Sequence, residues 1–301
     1  MKRKLVKQGV ATLMISLPSK WIKKFSLKKG DEISLEELDN KLIITRDKVS
    51  SKKQIELNIK NNTESAIRTF IVNTYRTGFD KIKINFRDEK QYKIITNTIN
   101  DYLIGFEVIE KEKDFCILEN ITEPSEEQFE ILFRKILYNI DLLIRNTEER
   151  LKGKKEFSEY KEIVLRVHQY DNFCRRVISK TNILGNKSNL FWTFLTLLIH
   201  GQRELYHLNI FLDKNKIKFK EFDFFENLKV IFSLLNKSYI EKDLSKIERI
   251  HELEKDMIYK EFYSKIQKNS KDNIVLYHLA SSLRNFYLAT SPLMVFLSKD
   301  N

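Results

Sequence analysis

From Pro124 onward, glycine and strand-forming patterns almost disappear, and this long helix-favouring stretch constrains the fold more than any other feature of the chain. Apolar residues recur there three and four positions apart, which is the spacing of one face of a helix. A clear example is the series Phe129, Leu132, Phe133, Ile136, Leu137, Ile140 and Leu143. The pattern predicts amphipathic helices over residues 124–301.

Six long helical segments are predicted in this region. Helix-breaking stretches separate them at Gly153, at Gly185-Asn186, at residues 214–218 and at Asn269-Ser270. The predicted segments are Glu126 to Lys152, Ser158 to Lys180, Leu190 to Leu212, Phe222 to Ile240, Leu244 to Gln267 and Asp272 to Leu297. Two consecutive sets of three helices suggest an internal duplication.

Residues 54–120 alternate between strand and helix patterns, which predicts a small α/β module. Thr63 is expected to cap the first helix, and Gly78 is expected to follow it in the left-handed conformation. Residues 48–53 are a predicted linker. The predicted strands and helices are strand Ile55 to Ile59, helix Glu64 to Thr77, strand Lys81 to Phe86, helix Glu89 to Tyr102, and strands Phe106 to Glu110 and Phe115 to Glu119.

The N-terminal residues 4–46 are predicted to form two short strand pairs around one helical turn. Pro18 ends the first strand pair, and Ser19 is expected to cap a helix from Lys20 to Phe25. A tight turn at Asp39-Asn40 is expected to join strands Glu32 to Leu38 and Lys41 to Thr45. So few residues bury too little surface to be stable alone, and dimerisation is therefore expected.

Positive charge is concentrated at the N-terminal end. Residues 1–53 carry 14 Lys/Arg against 6 Asp/Glu, a net charge of +8 out of +12 for the whole chain. Residues 54–120 have a net charge of −1 and residues 121–301 a net charge of +5. Such asymmetry is typical of an end that contacts nucleic acid, although a solvated basic face is the alternative interpretation.

Composition also limits the class of function. The chain has only 7 Gly and contains no Gly-rich phosphate loop, Gly-x-Ser-x-Gly elbow or His-Glu-x-x-His motif, so an enzyme is not expected. Two cysteines, Cys116 and Cys174, lie among apolar residues and fit a reducing, cytoplasmic location. The longest apolar run, Leu190 to Ile199, is about half of the ~20 residues that span a bilayer, so no transmembrane segment is expected.

Four strings near the N-terminus suggest a known family. They are Gly9-Val10-Ala11-Thr12-Leu13, Ser16-Leu17-Pro18-Ser19-Lys20-Trp21, Leu27-Lys28-Lys29-Gly30-Asp31 and Leu42-Ile43-Ile44. Together they resemble the AbrB/SpoVT swapped-hairpin domain, in which a strand ending in Leu/Ile-Pro precedes a short helix, a Gly-Asp turn and an Ile-rich strand. The resemblance implies an intertwined homodimer, formed by residues 1–47, whose basic face contacts DNA.

Later parts of the chain resemble archaeal phosphate uptake regulators. The stretches Tyr75-Arg76-Thr77-Gly78-Phe79-Asp80-Lys81-Ile82 and Leu103-Ile104-Gly105-Phe106-Glu107-Val108 are similar to their middle module. The six predicted helices and the string Glu252-Leu253-Glu254-Lys255-Asp256 resemble the PhoU domain, which has two three-helix repeats. The resemblance implies an α+β multidomain protein with a swapped-hairpin β domain (1–47), a small α/β module (54–120) and a six-helix PhoU-like bundle (124–301).

The PhoU resemblance also implies metal ligands. In that family an acidic pair, four residues apart on the second helix of each repeat, holds clustered metal ions; Glu252 and Asp256 have this spacing and share a helix face. In the first set only Asp171 is retained, because Val167 replaces the leading carboxylate. The third helices also depart from the family's acidic string, which thins the ligand set. The implied cofactors are divalent or ferric metal ions at Glu252, Asp256 and Asp171; a solvated or salt-bridged helix face is the alternative.

Cationic residues on the first strand and around the short helix are candidates for DNA contact. They are Lys2, Arg3, Lys4, Lys7, Lys20, Lys23 and Lys24. Positive side chains that neutralise phosphates gain free energy from counterion release. Arg3 is also suited to pair with a guanine edge through two hydrogen bonds. The alternative is that such lysines only keep a small domain soluble.

Two main functions fit these features. In the first, the chain is a DNA-binding transcriptional regulator of phosphate uptake, whose N-terminal homodimer holds DNA while the bundle senses phosphate status. In the second, it is an accessory protein that does not bind DNA and regulates a phosphate transporter or its sensor by protein contact. A metal-dependent hydrolase built on the carboxylates is a third alternative.

Overall fold

A computed structural model describes residues 2–9, 12–38, 41–45, 52–60, 63–122, 125–154, 156–181, 183–266 and 272–298. The chain divides into two units, Met1–Ser51 and Lys52–Asn301. A small β domain at the N-terminus and a helical C-terminal region confirm the mixed α+β class. A boundary between the middle module and the bundle stays a prediction. No helix in the described residues is long and apolar enough to cross a membrane.

The N-terminal unit contains two antiparallel strand pairs and one short helix, as predicted. Lys7 lies opposite Leu13 in the first pair, and Leu35 lies opposite Ile44 in the second. The predicted turn at Asp39-Asn40 lies outside the described residues. The elements are β1 (Val6–Gln8), β2 (Thr12–Met14), α1 (Ser19–Lys24), β3 (Ser34–Leu38) and β4 (Lys41–Thr45).

The prediction that Ser19 caps the short helix is wrong by one residue. Helix α1 begins at Ser19, and Pro18 is its N-cap residue. The carbonyl oxygen of Pro18 accepts hydrogen bonds from the backbone N–H groups of Trp21 and Ile22 at 2.9 and 3.1 Å. Proline already holds φ near the helical value, so the turn closes one residue earlier than a serine cap would allow.

Residues 54–120 form one four-stranded sheet with two helices. Its strand order is β5-β6-β8-β7; β5 and β6 are parallel, and the other neighbouring pairs are antiparallel. A parallel pair needs a crossover, which α2 provides. Gly78 follows this helix with φ of +86°, as predicted, but Thr63 makes no side-chain cap. The elements are β5 (Gln54–Asn58), α2 (Glu64–Arg76), β6 (Lys81–Asn85), α3 (Glu89–Tyr102), β7 (Phe106–Lys111) and β8 (Phe115–Asn120).

Helices dominate residues 125–298 and lie where the apolar spacing predicts them. The fifth predicted segment contains a π-helical stretch, Asp256–Phe262, and the sixth is interrupted at Ala289. Pro292 has no N–H to donate to the carbonyl of Leu288, which accounts for the second interruption. The helices are α4 (Glu126–Leu151), α5 (Tyr160–Lys180), α6 (Ser188–Lys214), α7 (Asp223–Glu241), α8 (Ser245–Lys255), α9 (Tyr263–Ile266), α10 (Asn273–Leu288) and α11 (Thr290–Leu297).

The helices pack around one core, in which two sets of three helices have mutual contacts. Helices α4, α5 and α6 each contact the other two, and so do α7, α8 and α10. Contacts of α6 with α10 and of α4 with α7 join the two groups around one hydrophobic core. Helix α6 packs closely against α10 at Gly201, where an added Cβ would lie 2.4 Å from the ring of Phe286. Likeness of this bundle to PhoU stays a prediction.

Candidate nucleic-acid interface and carboxylate sites

All the cationic residues predicted to contact DNA have exposed side chains. They are Lys2, Arg3, Lys4, Lys7, Lys20, Lys23 and Lys24. No described carboxylate forms an ion pair with any of them, in contrast to most of the basic residues of α4 to α8. Helix α1 ends on Lys23 and Lys24, where cations are favoured by the helix dipole. The unit therefore presents positive charge that no described acidic group neutralises.

The same unit leaves many of its large apolar side chains exposed to water. The exposed ones are Leu5, Val6, Leu13, Met14, Ile15, Leu35, Leu42 and Ile43. None of the described side chains of this unit is buried, and Leu13 is 61% exposed. An apolar surface of this extent on a small domain marks an interaction surface. A single copy of this unit thus lacks a buried core. Pairing with another chain stabilises such a domain because it covers the exposed apolar side chains.

Glu252 and Asp256, the predicted metal pair, lie on the surface, and each forms a salt bridge with a basic side chain. The Glu252 carboxylate is 2.7 Å from the guanidinium of Arg249, and the Asp256 carboxylate is 2.5 Å from the ammonium of Lys260. The charge and hydrogen bond of Lys260 hold the pKa of Asp256 below its ordinary value. This is the arrangement of a salt-bridged helix face.

Asp171, the third predicted metal ligand, is fully buried on α5. Its two oxygens accept hydrogen bonds from Arg175 at 2.8 Å and from Arg76 at 2.9 Å. No group of three or more His, Cys, Asp or Glu residues that could hold a metal ion occurs in the described parts of the chain. The side chains of Glu252, Asp256 and Asp171 therefore do not fit a resident metal ion, because arginine and lysine occupy the oxygens that a cation would need.

Sequence reasoning missed a second buried carboxylate, Asp80. It accepts hydrogen bonds from Arg176 at 2.7 Å and from Lys180. Burial alone would raise the pKa of Asp80, but the hydrogen bond and charge of Lys180, together with Arg176, outweigh burial and hold the pKa below its ordinary value. A usable signal was present, because Arg175 and Arg176 interrupt an otherwise apolar stretch of α5.

These buried ion pairs connect the sheet module to the helical bundle. Asn172 on α5 donates to the backbone oxygen of Tyr102 at 2.8 Å and accepts from Arg76 at 2.8 Å. Gln169 donates to the backbone oxygen of Asn100 at 3.1 Å. Helix α5 thus contacts both α2 and α3 through polar side chains, which lets the module and the bundle act as one unit.

Comparison with known proteins gives a family match at the N-terminus. Residues 6–53 match the family described as antidote-toxin recognition MazE, a bacterial antitoxin. The match supports the predicted swapped-hairpin domain and extends over a small part of the chain. No curated protein and no solved structure matches the chain significantly.

Proposed function

We propose that the chain is a cytoplasmic, non-enzymatic DNA-binding transcriptional regulator of phosphate uptake that acts as a homodimer. Its N-terminal unit holds DNA, and a PhoU-like bundle over residues 124–301 reports phosphate status. The observation that carries the proposal is the antitoxin-type domain at residues 6–53, in which the exposed Lys7, Lys20, Lys23 and Lys24 have no described acidic partner. Unneutralised cations on a small domain gain free energy when they displace counterions from DNA phosphates.

Homodimerisation follows from the exposed apolar face of the N-terminal unit. Leu13, Leu35 and Leu42 are each more than half exposed. Burying one such side chain contributes about 1.5–3 kcal/mol, so covering this face by a second copy supplies the core that one copy lacks. Two copies would also present two symmetric sets of lysines and Arg3, as binding to a palindromic site requires.

The sensing role rests on the resemblance of the C-terminal helices to PhoU. Two observations are consistent with it: the acidic string from Glu252 to Asp256, and two groups of three helices that contact each other within each group. The carboxylates are salt-bridged, so the proposed bundle signals through its shape and its contacts rather than through a resident metal ion. The polar contacts of α5 with the sheet module give a rigid route for such a signal.

A gel-shift titration of the full chain tests DNA binding. The DNA is a duplex spanning the region upstream of the chain's own gene, at two salt concentrations. If about six phosphates are engaged, the logarithm of the affinity falls against the logarithm of salt with a slope of about −5. Replacing Lys2, Arg3, Lys4 and Lys7 by Ala is expected to abolish the shift. The matched control replaces four exposed lysines of the sheet module by Ala and retains it: Lys60, Lys90, Lys93 and Lys113.

The match at residues 6–53 also favours a second candidate, in which the N-terminal domain binds a toxin-type protein. In that case the chain co-purifies with a protein partner, and the duplex is not retained at either salt concentration. The same outcome with a phosphate transporter or its sensor as the partner would favour the accessory-protein alternative. Retention of the duplex by the four-fold N-terminal variant would contradict the proposed DNA face.

A further inference from the structure

A cavity of about 550 Å³ lies where α2 and the end of α3 face α5 and α6. It belongs entirely to the unit of residues 52–301, and none of its lining residues is part of the proposed DNA-binding segment. Four of its lining residues are basic, and no described Asp or Glu lines it: the basic ones are Arg68, Arg76, Lys161 and Arg203. A pocket walled by cations without a lining carboxylate is suited to an anionic ligand.

Two side chains of α5 fix the position of Arg76: Asn172, which also lines the cavity, and the buried Asp171. The Nε of Arg76 donates to the side-chain oxygen of Asn172 at 2.8 Å, and its NH2 donates to the buried carboxylate of Asp171 at 2.9 Å. Two such bonds lock a guanidinium in one orientation, which is how binding sites place an arginine before the ligand arrives. The sequence string from Tyr75 to Ile82 contains this arginine, but nothing in it indicates a cavity.

The other basic lining residues, Arg203, Arg68 and Lys161, differ in how closely they pair with carboxylates. Arg203 on α6 is exposed and forms no hydrogen bond or ion pair with a described residue. The Arg68 guanidinium stacks over the ring of Tyr102 at 5.3 Å, and one of its nitrogens lies 3.2 Å from the carboxylate of Glu64. Lys161 approaches a carboxylate only to 3.7 Å. Arg203 therefore has no described acidic partner, whereas Arg68 and Lys161 pair with carboxylates that do not line the cavity.

His168, another lining residue, has a pKa that responds to the charges around the cavity. Burial lowers the pKa of His168 to about 4, Asp171 opposes this, and the charges of Arg203, Arg76 and Arg68 lower the pKa further. Its ring lies 6.3 Å from that of Tyr102. The imidazole is thus neutral at pH 7, because a charged ring would be partly removed from water and would lie beside three arginines.

We propose that this cavity binds a phosphate-bearing small molecule of the nucleotide class. Arginine forks suit phosphate oxygens because they donate two parallel hydrogen bonds. The volume lies in the range of sites for drug-sized ligands and is far larger than a single phosphate needs. The rings of Tyr102 and Tyr206, which also line the cavity, supply flat surfaces for a base. The phosphates bind at Arg68, Arg76 and Arg203, and the base lies against the tyrosines.

Isothermal titration of the full chain with ATP, and separately with inorganic phosphate, tests the site. Loss of one charge-assisted contact weakens binding about tenfold or more, and this is expected for both Arg203→Ala and Arg68→Ala. Arg166→Ala is the control, since Arg166 is an exposed arginine on α5 that does not line the cavity. Arg203 is exposed, so its replacement leaves the fold intact, and a thermal unfolding curve checks this.

Three results would overturn the proposal: no binding of ATP, equal affinity of the Arg203→Ala variant, or inorganic phosphate binding as tightly as ATP. Replacement of Lys2, Arg3, Lys4 and Lys7 by Ala must leave the ATP affinity unchanged, so that failure of DNA binding and failure of this site are separate outcomes. Proton NMR of the histidine rings gives an independent readout. Bound phosphates offset the arginine charges, so ATP is expected to raise the pKa of His168, and an unmoved resonance contradicts the site.

Discussion

The carboxylate of Asp80 and the guanidinium of Arg176 lie 2.7 Å apart, and the two side chains are only 3% and 1% exposed. Asp80 precedes β6 in the sheet module, whereas Arg176 lies in α5 of the bundle. Arg176 also donates to the backbone oxygens of Tyr75 and Phe79 at 3.0 and 2.7 Å. This buried network joins the two regions within the unit of residues 52–301.

Replacement of Asp80 by Ala is expected to lower the free energy of unfolding by about 3–5 kcal/mol, because Arg176 loses its buried carboxylate. Urea unfolding followed by circular dichroism measures the change. The control Asp141→Ala removes a partner of the exposed Arg145 and is expected to cost less than about 1 kcal/mol. Adding Arg176→Met to Asp80→Ala should restore part of the stability. Equal losses of stability in Asp80→Ala and Asp141→Ala would contradict the buried role of Asp80.

His168 is expected to make stability depend on pH. The pKa of His168 is about 4 in the folded chain, against about 6.5 when unfolded, so the unfolded chain binds more protons between these values. The contribution of the neutral His168 to the free energy of unfolding is therefore complete above pH 6.5 and is lost as the pH falls toward 4. We expect His168→Gln to remove on the order of 2 kcal/mol of this loss. Thermal unfolding at pH 4.5, 5.5 and 7.5 checks it, and parallel curves for both proteins would contradict it.

Gly201→Ala is expected to destabilise the bundle, although alanine normally stabilises a helix interior relative to glycine. The new Cβ would meet the ring of Phe286 at 2.4 Å, and relieving such a contact costs about 1–3 kcal/mol. Chemical denaturation measures the difference. Combining Gly201→Ala with Phe286→Leu removes the ring edge, so the double variant should lose less than the sum of the two single changes.

Leu13→Glu is expected to weaken homodimerisation at least tenfold, because each copy loses about 1.5–3 kcal/mol of apolar burial and places a charge in the interface. Sedimentation equilibrium of the full chain measures the dissociation constant. Ile131→Glu on α4 is the matched control, since Ile131 is also an exposed apolar residue, 47% exposed, but lies outside the N-terminal unit. A dimer of unchanged strength in Leu13→Glu would place the interface elsewhere.

Element type and order were predictable nearly to the residue over the sheet module. The predicted helix Glu89 to Tyr102 is observed with the same bounds, and the strand at Lys81 ends one residue early. Periodicity of two or of 3.6 residues is a local property, so it can be read without knowing the packing. The misplaced cap at Ser19 arose because a proline carbonyl closed the turn, a competition that residue type alone does not resolve.

For the candidate sites too, some features were predictable from the sequence and others depended on tertiary contacts. The basic character of the N-terminal segment was predictable, because it follows from the number of charged residues in a short stretch of sequence and needs no tertiary contact. The pairing of Asp171 with arginine was not predictable, since Arg76 approaches it from 95 residues away in sequence.

Local patterns were thus sufficient for the class of fold, the helices, the strands and the basic N-terminal segment. Packing of α2 and α3 against α5 and α6 was needed to bury Asp80 with Arg176, to enclose Asp171 between two arginines and to form the cationic cavity. The physical reason is that ion pairing and cavity formation depend on distances between groups on separate elements. Those distances arise only when the apolar faces of those elements pack together.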